Sequence, residues 1–108
     1  MATSKEYLNF VIEQLSELDG IVLRPMMGEY LLYFCGKLVG GLYDNRLLVK
    51  PTLSAKVLMP DAELQSPYDG AKPMLLVNDV ENRDFLRELL NAIYGELPEP
   101  KPKRGRRL

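Results

Sequence analysis

Leu8, Val11, Ile12, Leu15 and Leu18 recur three and four residues apart, with Glu6, Glu13, Gln14 and Glu17 between them. This is the pattern of a helix with one greasy stripe and one wet face. Thr3 and Ser4 compete as its N-cap, Thr3 and Glu6 have the spacing of a capping box, and Gly20 is the expected left-handed stop. A second helix is predicted after Asn78, Asp79 or Asn82, each able to cap it. Its stripe is Leu86, Leu89, Leu90, Ile93 and Leu97, and Pro98 ends it. Arg83 and Arg87 lie one turn apart on that helix, so they need Asp84 or Glu88 nearby.

Between the helices the period changes. Ile21 to Arg24, Glu29 to Phe34, Lys37 to Tyr43 and Arg46 to Lys50 read as strands. Pro25 places the first at a sheet edge or a bend, because proline cannot donate to a ladder. Cys35-Gly36 and Asp44-Asn45 are two-residue hairpin turns, so the middle of the chain is an antiparallel meander. Thr52 caps a short helix running to Leu58. A connection of unusual length covers residues 59 to 73, and Met74 to Val77 forms a last strand. The expected fold is therefore α+β: a two-layer sandwich in which N-terminal and C-terminal helices lie on about five antiparallel strands.

Alternation inside the meander is unusual in leaving neither face polar. Tyr30, Leu32 and Phe34 point one way, and Leu31, Tyr33 and Cys35 the other. Leu38 and Leu42 oppose Val39 and Tyr43, and Leu47 and Val49 oppose Leu48. Helices can cover one face. A second copy of the chain is the expected cover for part of the other, with a short helix or the long loop as the alternative, so a homodimer is anticipated.

Composition narrows the chemistry. The 108 residues suit one domain, and 46% of them are hydrophobic. There is no histidine, which removes Ser-His-Asp and Cys-His catalysis, histidine-ligated metals and a histidine pH switch. Cys35 is the only cysteine, so it makes no internal disulfide and fits a reducing cytoplasm. Lys5 and Glu6 stand where a signal peptide would need an apolar core, and no run is long enough to span a bilayer.

Charge divides the chain into a domain, 1–97, and a basic tail, 98–108. The tail holds Lys101, Lys103, Arg104, Arg106 and Arg107 against Glu99, a net of +4. The other 97 residues hold nine basic and fourteen acidic side chains, a net of −5. With three prolines and almost nothing apolar, the tail is expected to be disordered. It is a candidate hook for nucleic-acid phosphates, and the alternative is solubility.

Candidate chemistry is sparse. Gly36-Lys37-Leu38-Val39-Gly40-Gly41 lacks the order of a phosphate loop and opens no helix, so it reads as a strand with a bulge or a close backbone approach. Cys35 reads as an inert hairpin thiol. Met26 and Met27 are core filling or an adaptable binding patch. Arg24 to Tyr30 and Tyr68 to Pro73 both mix turn residues with charges. If they meet, Arg24, Glu29 and Lys72 form an ion-pair network or a small-anion site.

Arg24-Pro25-Met26-Met27-Gly28-Glu29-Tyr30, Gly36-Lys37, Asp44-Asn45-Arg46-Leu47, Lys50-Pro51-Thr52 and Pro67-Tyr68-Asp69-Gly70-Ala71-Lys72-Pro73, in that order, resemble the TfoX N-terminal domain family from about Ser4 to Leu97. Met27 stands where that family often has Phe, and Cys35 where it has a polar turn residue. The resemblance implies a bacterial protein with helices on an antiparallel sheet and a non-enzymatic, regulatory role associated with competence, exercised through an unidentified protein partner. It supplies no catalytic residue and no cofactor. Longer members carry a second helical domain, and this chain ends in the basic segment instead.

Overall fold

Three tight turns organise the sheet in the computed structural model, which describes residues 3–98. Strand β1 (Ile21–Met26) turns through Met27-Gly28 into β2 (Glu29–Phe34), which turns through Cys35-Gly36 into β3 (Lys37–Leu42). Asp44-Asn45 then leads to β4 (Leu47–Val49). All six turn residues have positive φ, between 51° and 88°. This is the left-handed geometry that matches the twist of paired strands. Two of these turns are legible in the sequence. Met27-Gly28 is a third, and it carries β1 through Pro25 to Met26 as a full partner of β2.

Helix α1 (Lys5–Gln14) precedes the meander. Helix α2 (Leu53–Leu58), strands β5 (Leu64–Gln65) and β6 (Met74–Leu76) and helix α3 (Arg83–Glu96) follow it. The six strands are antiparallel in the order β1-β2-β3-β4-β6-β5. The fold is α+β, as expected, with β5 as a short extra strand inside the long connection. Pro25 lies in the outermost strand, where its missing N–H breaks no ladder.

Ser4 caps α1, its hydroxyl accepting from the Tyr7 N–H. Thr3 does not form the capping box, because its hydroxyl is engaged by Glu29. The helix also stops earlier than Gly20. Beyond Gln14 the chain tightens into turns, with Ser16 N–H donating to Glu13 and Leu18 N–H to Leu15. Ser16 and Asp19 are residues that compete with helix for backbone hydrogen bonds. Tyr7, Leu8, Val11, Leu15 and Leu18 face the sheet, while Ile12 lies 46% exposed rather than in the stripe. Thr52 and Asn82 cap α2 and α3. Arg83 reaches Glu13 at 3.4 Å, and Arg87 reaches Asp84 at 2.9 Å and Glu17 at 3.7 Å, so α1 supplies part of the counter-charge.

One core lies between the helices and one face of the sheet. Leu32, Phe34, Val39, Leu42, Leu47, Val49, Leu75 and Val77 meet Val11, Ala55, Leu86, Leu89, Leu90 and Ile93 there. Each fully buried leucine contributes roughly 1.5–3 kcal/mol. Simple alternation misplaces Leu38 and Val39. The β2–β3 register shifts between Leu32 and Tyr33, so Leu32 pairs with Gly40 and Tyr33 with Leu38, leaving Val39 as a bulge. The extra residue turns Val39 into the core beside Leu42 and sends Leu38 to the opposite face.

Gly40 and Gly41 explain the glycine pair as backbone approach. A Cβ on Gly40 would lie 2.2 Å from the Leu48 carbonyl oxygen. One on Gly41 would lie 2.7 Å from the Tyr30 carbonyl oxygen and 2.6 Å from the Tyr43 ring. Lys37, beside the bulge, is buried on the helix side. Its ammonium donates to the carbonyls of Tyr94 at 3.1 Å and Leu97 at 2.9 Å, and sits 3.9 Å from the Tyr94 ring centroid. It closes the C-terminal end of α3, where carbonyls lack intrahelical donors.

Candidate functional site

Among the described residues, no helix lies on the second face of the sheet. Register places three rows on it. Val22, Tyr33 and Leu38 form one across β1, β2 and β3. Arg24, Leu31, Gly41, Leu48 and Leu76 form the next, and Met26 and Glu29 begin the third, towards Tyr43. Leu48 and Tyr43 are buried without belonging to the main core. Tyr43 lies against Gly41, and the Tyr68 ring from the long connection stands 6.3 Å from it. The connection therefore covers the β3–β4–β6 half of this face. The β1–β2 half stays open: Val22 is 52% exposed, and the Arg24 guanidinium lies 5.5 Å from the centroid of the Tyr33 ring.

Beneath the connection runs a groove of about 710 Å³, walled by Leu38, Tyr43, Pro67, Tyr68, Pro73 and Met74 and also lined by Lys50 and Lys72. Lys50-Pro51-Thr52 and Pro67 to Pro73, distant in sequence, thus share one cavity.

Burial pushes the Tyr43 hydroxyl above its ordinary range, and Tyr68, Glu29 and Tyr33 add to the shift. Burial does the same to Tyr7, against a backbone hydrogen bond at Leu47. A phenol with a raised folded-state pKa contributes stability that is complete below about pH 10 and lost as pH rises through the folded value. The melting temperature should therefore fall above that pH, and Tyr43→Phe should flatten the fall. Tyrosinate absorbance provides the check, and one common midpoint for all six tyrosines, at the value of a free phenol, would contradict it.

The sequence candidates scatter. Arg24 and Met26 lie on the edge strand, and Met27 is 97% exposed at a hairpin tip. Tyr30 packs against the helix-side core. Lys72 lines the groove with Lys50, and neither Arg24 nor Glu29 lines it. The ion-pair network of Arg24, Glu29 and Lys72 is absent from the ion pairs among the described residues. Lys101, Lys103, Arg104, Arg106 and Arg107 lie outside the described residues. Cys35 is exposed in its turn.

Glu29 has a structural task. Its carboxylate accepts from the Thr3 hydroxyl at 2.8 Å and from the Asp44 N–H at 3.0 Å. Thr3 N–H donates to Gly28, Asn45 N–H to the Thr3 hydroxyl, and Ser4 N–H to the Asn45 side chain. The start of the chain thereby ties the β1–β2 turn to the β3–β4 turn. Glu29→Ala should cost about 1–3 kcal/mol in chemical denaturation, since Thr3 is buried and loses its acceptor. A loss below the measurement error would refute this role.

Val22 was not singled out by sequence reasoning; Tyr33 and Leu38 entered only through the alternation of the meander, and Lys50 only through the motif Lys50-Pro51-Thr52. The available signals were the apolar pattern on both sides of the meander and the length of the connection.

These features define a class: a six-stranded antiparallel sheet with helices on one face and a loop-roofed, lysine-lined groove on the other. The chain is 37% identical over 107 residues to the uncharacterized 12.7 kDa protein in the trpE 5′ region of Spirochaeta aurantia, covering 98% of this chain and 93% of that one, and it belongs to the same family. No family model and no solved structure matches it. Among the described residues, no helix is long and apolar enough to cross a membrane.

Proposed function

We propose that this is a non-enzymatic, cytoplasmic regulatory domain of the TfoX N-terminal kind that works by protein contact, and that it forms a homodimer through the open half of its helix-free face. The observation that carries this reading is the paired row of Val22 and Tyr33 on β1 and β2. It consists of large side chains on a sheet surface where water normally selects polar ones. Pro25 interrupts the β1 edge, which disfavours strand-to-strand pairing and leaves the face as the contact. The ordered motifs from Arg24 to Pro73 support the regulatory role.

Light scattering at micromolar concentration should give twice the 12.3 kDa chain mass for the wild type. Val22→Asp should give a folded monomer, its circular dichroism nearly unchanged because Val22 is half-exposed and its melting temperature lower than that of the wild type and independent of protein concentration. A wild type that is monomeric at every concentration would remove the dimer. Leu32 and Leu48 are unsuitable probes: both are fully buried within one chain, and an aspartate at either should unfold it.

The alternative is a nucleic-acid accessory protein, supported by the +4 segment on an acidic body. About five neutralised phosphates would give a log–log salt slope near −4.5. Binding that is undetectable at low salt, or unchanged on truncation after Pro98, would dispose of it.

A further inference from the structure

The geometry points to the groove beneath the long connection as a binding site for a small organic anion with an apolar body, such as an aryl carboxylate or a phosphate monoester. Its volume, about 710 Å³, lies within the usual range for small-molecule sites. Its walls are greasy and ringed: Leu38, Met74 and Pro73, with Tyr43 and Tyr68. Its charged lining is of one sign. Lys50 and Lys72 face the cavity, no acidic residue lines it, and neither ammonium has an ion-pair partner among the described residues.

That distribution runs against the domain as a whole, which carries a net charge of −5. Two cations on the lining of one cavity favour an anion there, which gains charge-assisted hydrogen bonds. The apolar walls then favour an anion with a hydrophobic body over a bare one, because inorganic phosphate would leave them in contact with water. The connection is shaped for the purpose before any ligand arrives. Pro67 is buried, Gly70 takes a φ of 86°, and Ala71 N–H donates to the Tyr68 carbonyl.

The test is an amide NMR titration of the full chain with phenyl phosphate, benzoate, inorganic phosphate and phenol, carried out in the Val22→Asp variant so that self-association plays no part. Phenyl phosphate or benzoate should shift Gly40, Tyr68, Ala71 and Lys72 saturably. The ranking of the two identifies the preferred head group. Inorganic phosphate and phenol should each bind about tenfold more weakly or worse, since each makes only half of the contacts. The Lys50→Gln/Lys72→Gln double variant should melt normally and lose about tenfold or more in affinity. Phenol binding as tightly as phenyl phosphate, undiminished binding in the double variant, or shifts confined to other residues would each overturn the assignment.

Discussion

Gly40→Ala should destabilise the protein by about 3 kcal/mol or more, at the upper end of what overpacking costs. The added methyl would sit 2.2 Å from the Leu48 carbonyl oxygen and 2.9 Å from the Val49 Cα. Both are backbone atoms of the neighbouring strand, so no side chain can rotate away. Relief would require β3 and β4 to separate where Gly40 pairs with Val49, and the bulge at Val39 depends on that pairing. A domain of this size has roughly 5–15 kcal/mol in all, so the variant should be marginal or insoluble. Gly95→Ala is the matched control: it lies in α3, its Cβ would meet nothing within 4 Å, and it should gain up to about 1 kcal/mol. Equal melting temperatures for Gly40→Ala and wild type would contradict the packing described.

Lys37→Met should cost about 2–3 kcal/mol, which is large for a lysine. Methionine preserves the stem in the core but withdraws the donor from the Tyr94 and Leu97 carbonyls and the cation from the Tyr94 ring. Those carbonyls end α3, whose leucines form much of the core, so the loss reaches the whole fold. Lys37→Arg should recover only part of it, because a planar guanidinium does not fit a site shaped for a compact ammonium. Urea denaturation of the three proteins provides the check. A methionine variant as stable as wild type would show that the contact carries no weight.

How much of this was legible in the sequence follows from what each signal depends on. Periodicity and local turn chemistry depend on neighbours in sequence, so the helices, two of the three hairpins and the Thr52 cap were readable. The Val39 bulge was not, because it arises from the fit of β3 against β2, and one inserted residue changes the faces of Leu38 and Val39 relative to Leu42. Helix α1 was read too long because Leu15 and Leu18 keep the helical spacing while sitting in turns. At the candidate site, apolar residues on both sides of the meander implied a second covered face, and the long connection does cover half of it. Lys72 lines the groove with Lys50 rather than with Arg24 and Glu29, since chain crossing through β6 is invisible to local pattern.

The claim on which the account rests is that the uncovered rows of the sheet are where another protein docks, beginning with a second copy. The most direct measurement is an isotope-filtered NOE experiment on an equimolar mixture of labelled and unlabelled chains. A dimer through the open half gives intermolecular contacts at Val22, Leu31 and Tyr33, strengthening with concentration. Their absence, in a sample whose mass stays at 12.3 kDa throughout, would contradict it.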